Sequence, residues 1–167
     1  AVDEYDSKGR AEFFSKVFRV YSGGIFAVSS GLILACQLIT KILVAESYYD
    51  SWQYVPILVI ATTMSCIVNF LASVYMAEKK SVMAMLTAGS GAVTNIVLNI
   101  LLIPRLGANG AAIATVASFI VVFITRGLNT RKYIKIKFNV PLIVAELAIL
   151  AAQSGTMIFM KSGATLY

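Results

Sequence analysis

The sequence predicts an all-α integral membrane protein with five transmembrane helices, and three observations predict it. Of 167 residues, 59% are hydrophobic and only 13% are charged, against about 25% charged in soluble domains, and the mean hydropathy is +0.82. The apolar residues gather into five runs, approximately 20–43, 55–77, 82–103, 107–125 and 140–160. Each is close to the roughly 20 helical residues needed to cross about 30 Å of hydrocarbon. The basic residues sit at the gaps between the runs. Backbone N–H and C=O groups in lipid must be satisfied within their own segment, so each run is read as a helix.

Residues 1–19 form the first element. Phe13, Phe14, Val17 and Phe18 share a face among Lys16 and Arg19, which reads as an amphipathic lead-in at the membrane surface or as an extension of the first helix. The chain opens on Ala1 and a polar, acidic segment, which reads as part of a longer protein. Residues 20–125 hold four transmembrane helices, 126–139 a basic loop, and 140–167 an additional helix and tail. The first long gap contains Tyr48, Tyr49, Trp52 and Tyr54, an expected interfacial aromatic belt. Pro56 follows, suited to a first helical turn because its missing N–H costs nothing there.

The charges orient the helices, because Arg and Lys collect in cytoplasmic loops. One side carries Lys8, Arg10, Lys16 and Arg19, then Lys79 and Lys80, then Arg126, Arg131, Lys132, Lys135 and Lys137; the other carries only Lys41, Arg105 and Lys161. Eleven basic residues against three put the amino end in the cytoplasm and the carboxy end outside. The net charge of +6 therefore does not point to nucleic acid. The basic loop, with Tyr133 and Phe138 interleaved, suits anionic headgroups. Cys36 and Cys66 lie inside membrane helices and read as small packing residues. The chain has no histidine, which removes histidine-based acid/base and metal chemistry. Neither a cofactor nor a metal site is expected.

Small residues recur every fourth position: Gly23, Ala27, Gly31 and Ala35 on the first helix, Ala84, Ala88 and Ala92 on the third, Ala148 and Ala152 on the fifth. Lipid provides no hydrophobic drive for helix association, so such stripes predict close backbone packing within a bundle; smooth faces also permit rigid-body sliding. Gly89 and Gly91 flank Ser90 in mid-membrane and read either as a kink point or as a tight contact. Polar side chains inside the spans are Gln37, Asn69, Asn95, Asn99, Glu146 and Gln153. A charge at mid-helix costs about 2.5–3.5 kcal/mol on insertion scales, which singles out Glu146, although it lies near a helix end. Lys41 either snorkels to the interface or faces a lumen.

The most informative stretch is 95–115. Asn95 and Asn99 share a helix face; Pro104 and Gly107 make the turn; then Gly107, Gly110, Ala111, Ala114 and Ser118 open the next helix with a small-residue face. The asparagines either join helices or line a cavity, a choice the residues leave open. The pattern Asn95, Leu98 and Asn99, Leu102-Ile103-Pro104, Gly107, Gly110-Ala111-Ala112 and Ala114-Thr115 resembles the penultimate helix pair of the carboxy-terminal lobe of polysaccharide (O-antigen-type) flippases, in the multidrug/oligosaccharidyl-lipid/polysaccharide exporter superfamily. The resemblance implies a two-lobed exporter of twelve to fourteen helices, of which these five would be the ninth to the thirteenth. Its odd-numbered helices run outward, which agrees with the charge count.

What the resemblance implies is a transporter in the cytoplasmic (inner) membrane, not an enzyme. It would move polyprenyl-pyrophosphate-linked oligosaccharide by alternating access for cell-surface polysaccharide assembly, O-antigen and lipopolysaccharide included. Its partners would be that lipid-linked substrate, the bilayer, a coupling ion and other polysaccharide-assembly membrane proteins, with no nucleic acid. Asn95, Asn99, Lys41, Gln37, Asn69 and Glu146 are the substrate-pathway candidates; Gly89, Gly91, Pro104, Gly107 and Gly110 are hinge or packing candidates. Two alternatives stand: another cargo in the same superfamily, such as a drug or a peptidoglycan lipid precursor, and a membrane-embedded sugar-transfer enzyme. The outer face offers only Glu46 and Asp50 as carboxylates for the latter.

Overall fold

A computed structural model describes residues 2–45, 51–130 and 139–164. It contains five helices: α1 (Val2–Leu43), α2 (Val55–Ala77), α3 (Ser81–Leu106), α4 (Ala108–Thr130) and α5 (Val140–Ala164). All five are long and apolar enough to cross a membrane, so the chain is an all-α, multi-pass membrane protein. Tyr48, Tyr49 and residues 131–138, where the sequence predicts the basic loop, lie outside the described residues.

At a rise of 1.5 Å per residue, the 42 residues of α1 extend about 63 Å, twice the hydrocarbon thickness. The expected lead-in is thus the first part of α1 itself. Its Phe14 and Phe18, with Tyr21, pack around Phe70 of α2 at ring separations of 5.1–6.3 Å, while Arg10 pairs with Glu78 beyond the end of α2 at 3.1 Å.

The helices follow one another in space as α3, α4, α2 and then the α1–α5 pair, with α3 and α4 sharing the largest interface. α2 is the central element; its Met64, Ile67, Leu71, Val74 and Tyr75 are each at most 2% exposed. Phe18, Met64, Ile67 and Ile143 form one apolar core, and Ile33, Val59 and Leu150 a second. Polar pairs cross between helices within this bundle. Ser29 and Thr63 share a buried hydrogen bond of 2.7 Å between α1 and α2, and Gln153 Nε2 donates to Ser30 Oγ at 2.9 Å between α5 and α1.

Two turns fix the α2–α3–α4 unit. After α2, Lys79 N–H donates to Met76 O and Lys80 N–H to Tyr75 O, the paired bonds of a Schellman cap. Lys79 holds the left-handed position with φ 55°. Between α3 and α4 a single residue, Gly107, turns the chain with φ 55° and ψ −132°, a combination open almost only to glycine. Pro104 lies inside the last turn of α3 rather than in the turn itself. Gly110 packs so closely on α3 that a Cβ there would stand 2.5 Å from Leu102 O.

Two sequence expectations need correction. The small-residue stripes of α1 and α5 do not pack inward: Gly23, Ala27 and Gly31 are exposed, as are Ala148 and Ala152. In α1 the buried line is instead Ser22, Ser29, Ile33, Cys36 and Thr40. Small residues permit close approach but do not drive it; the inward face of α1 is set instead by the contacts of Phe18 and Ile33 and by the Ser29–Thr63 hydrogen bond. Trp52 is 1% exposed and so belongs to the protein interior, not to an interfacial belt; Tyr54 remains at the surface.

Candidate functional site

α2 and α3 are joined by the tight turn at 78–80 but touch little directly, because α4 lies between them. The wedge left open is a cleft of about 340 Å³, within the usual size of small-ligand sites, about 300–1,000 Å³. Its polar lining is Asn69 from α2, Asn95 from α3, and Thr115, Ser118 and Arg126 from α4; Gly91 and Val122 are among the apolar walls.

Arg126 is the decisive side chain. It is 5% exposed although it carries a charge. Nε donates to Thr87 Oγ1 at 3.1 Å, Nη2 to Ala84 O at 3.3 Å, and Nη1 to Val68 O. Thr87 Oγ1 can accept because its own hydrogen goes to Met83 O or Ala84 O. Among the described residues no carboxylate pairs with Arg126, so the guanidinium is bonded to neutral acceptors alone. It lies one turn inside Thr130, the end of α4, about 6 Å of helix rise. An arginine so near a membrane surface can extend to water; here it turns into the bundle instead.

The asparagines form a chain on the wall facing α4. Asn99 Nδ2 donates to Asn95 Oδ1 at 2.9 Å, and Asn95 Nδ2 reaches Thr115 Oγ1 at 3.4 Å. Thr115 Oγ1 in turn donates to Ala111 O at 2.9 Å. Asn99 Oδ1 is buried without a partner among the described residues. Across the cleft, Asn69 is exposed, and its 3.5 Å contact to Ser65 Oγ is too long to hold the amide firmly.

The structure therefore brings two predicted pathway residues, Asn69 and Asn95, to one cleft; Asn99 does not line it but bonds to Asn95. Lys41 is exposed near the far end of α1, Gln37 is half-buried on α1, and Glu146 is half-buried on α5; none of the three lines the cleft. Gly91 makes a tight α3–α4 contact against Val122, whereas Gly89 faces open space in an uninterrupted helix. Arg126 was expected in a basic loop beginning at 126, but α4 continues to Thr130 and makes it a wall of the cleft. A signal for it exists in the sequence: the stripe at every fourth position, Gly110, Ala114, Ser118, Val122, Arg126 and Thr130, is buried throughout, and the small face predicted from Gly110 to Ser118 leads directly to it. No family model, curated protein or solved structure matches this chain.

Proposed function

We propose that this chain forms part of a flippase that moves polyprenyl-pyrophosphate-linked oligosaccharide across the cytoplasmic membrane for cell-surface polysaccharide assembly. It would supply one wall of a hydrophilic cavity that opens alternately to the two sides. The amino end would be cytoplasmic, as the basic residues argue. The Arg126 end of the cleft would then lie on the cytoplasmic side, where a lipid-linked substrate is loaded. No bond is made or broken in this reading; the lining binds and releases.

The observation that carries the proposal is an arginine with no carboxylate partner among the described residues, at one end of a membrane cleft whose other polar groups are amides and hydroxyls. Such a lining suits a cargo with an anionic linkage and a hydroxyl-rich head: the guanidinium binds phosphate oxygens in a forked geometry, and the amides exchange hydrogen bonds with sugar hydroxyls. The resemblance of 95–115 to the flippase helix pair supports the same conclusion, since its Asn95 stands on the cleft.

The test is translocation by the full-length protein in proteoliposomes, scored by how fast a fluorescent polyprenyl-pyrophosphate sugar becomes accessible to a membrane-impermeant quencher. Hydrogen bonds to a charged group contribute about 1.5–3 kcal/mol, so Arg126→Gln should slow transport about tenfold to a hundredfold. Asn95→Leu should slow it by a smaller factor. Transport at the unsubstituted rate in both variants, at equal protein levels, would remove the cleft from the pathway.

A further inference from the structure

We propose that Arg126 is a clasp that holds α2 and α3 together and that an oxyanion entering the cleft opens it. The two helices form a hairpin with its vertex at the 78–80 turn and α4 set into the wedge. Each packs on α4 separately. Arg126 is the side chain that bonds to both at once, with Val68 O on α2 and Ala84 O and Thr87 Oγ1 on α3. Val68 lies about three turns from the vertex and Thr87 about two, so the clasp grips the hairpin on the vertex side of Asn95. A small displacement there becomes a larger opening farther from the vertex, at Asn95 and beyond.

The clasp is poised for exchange. Its acceptors are neutral, and the two carbonyls belong to helix interiors where each already serves its own helix. An oxyanion forms hydrogen bonds to guanidinium roughly twice as strong as neutral ones, and Arg126 itself lines the cleft. A ligand shifts a conformational equilibrium only by its differential affinity for the two states. Here that difference is direct for one geometry: three of the five guanidinium N–H groups are held by helix acceptors, and an oxyanion that forks onto Nε and Nη2 takes the donors that Thr87 and Ala84 hold. Occupancy of the cleft is thereby coupled to the separation of α2 from α3. The clasp does not depend on the cargo being a saccharide.

The experiment measures the distance between spin labels at positions 62 on α2 and 97 on α3, both exposed and far from the vertex, with Cys36 and Cys66 replaced by alanine. The full chain is held in maltoside micelles, which contribute no phosphate, and inorganic pyrophosphate is the probe. Arg126→Gln should lengthen the mean distance on the order of 2 Å and broaden its distribution. Thr87→Val, which keeps the charge and removes one acceptor, should produce a smaller shift in the same direction. Pyrophosphate should lengthen the distance in the unsubstituted chain and leave Arg126→Gln unchanged.

An unaltered distance in Arg126→Gln with helical content intact overturns the clasp. If that variant loses its helices, an unaltered distance in Thr87→Val overturns it instead. Pyrophosphate that moves neither protein, or both equally, also overturns it. Labels that move as expected in a protein that transports no lipid-linked saccharide would sink the flippase reading and leave the clasp standing. Transport that depends on Arg126 while the labels stay still would do the opposite.

Discussion

Replacing Gly110 by alanine probes the close approach on which the α3–α4 wall depends. The new Cβ would stand 2.5 Å from Leu102 O, 2.6 Å from Leu102 C and 3.0 Å from Ile103 N. Ordinary carbon contacts begin near 3.5 Å, so α4 must retreat from α3 by about 1 Å. All three atoms are backbone, and no rotamer change relieves the clash. Overpacking of this kind costs about 1–3 kcal/mol, offset in part by the roughly 1 kcal/mol helix preference of alanine over glycine. The expected net effect is a loss of up to about 2 kcal/mol. The retreat also carries Thr115 away from Asn95, whose 3.4 Å hydrogen bond has almost no length to spare. The assay is reversible unfolding in mixed micelles with rising dodecyl sulfate, followed by helical circular dichroism. Gly89→Ala is the internal control, because nothing stands within 4 Å of its Cβ; it should be neutral or gain up to about 1 kcal/mol. Equal stability of Gly110→Ala and Gly89→Ala would refute the claim that backbone contact at Gly110 sets the spacing of the wall.

Three further outcomes are expected from the same unfolding assay. Gly91→Ala collides with Val122 Cγ2, a side-chain atom, so it should destabilise, and adding Val122→Ala should restore part of the loss with a coupling of at least about 0.5 kcal/mol; strict additivity would refute the contact. Lys79→Gly removes a side chain from a left-handed position and should stabilise by about 1 kcal/mol, and a loss of stability would contradict the cap geometry. A double-mutant cycle on Ser29→Ala and Thr63→Val should return a coupling of about 0.6 kcal/mol, as is typical of hydrogen bonds between membrane helices, with zero coupling arguing against the 2.7 Å bond.

Much of the cleft was legible in the hairpin at 95–115, and the illegible part has an identifiable cause. Asn95 and Asn99 stand out because amides are rare in apolar helices, and Gly110, Ala114 and Ser118 stand out because their spacing makes one smooth face. Gly107 reads as a turn, and its positive φ bears that out. Arg126 was hidden by the rule that orients the other helices: a basic residue at the end of an apolar run is ordinarily assigned to the loop. Only the carbonyls of Val68 and Ala84 and the hydroxyl of Thr87, contributed by two other helices, make its burial possible. None of those acceptors is marked in the local sequence around 126.

The sequence by itself determined that there are five membrane-length helices and approximately where α2, α3 and α5 begin and end; α1 starts much earlier and α4 ends later than the apolar runs predict. Lipid forces backbone hydrogen bonds to close within each segment, so apolar run length translates directly into helices. The tertiary structure decided which faces meet. Lipid leaves apolar faces nearly equivalent, and the choice falls to shape and to a few polar bonds. That is why the Gly23, Ala27 and Gly31 stripe faces outward while Ser29 and Ile33 pack inward. It is also why a loop-like arginine became the charged end of a cleft between α2, α3 and α4.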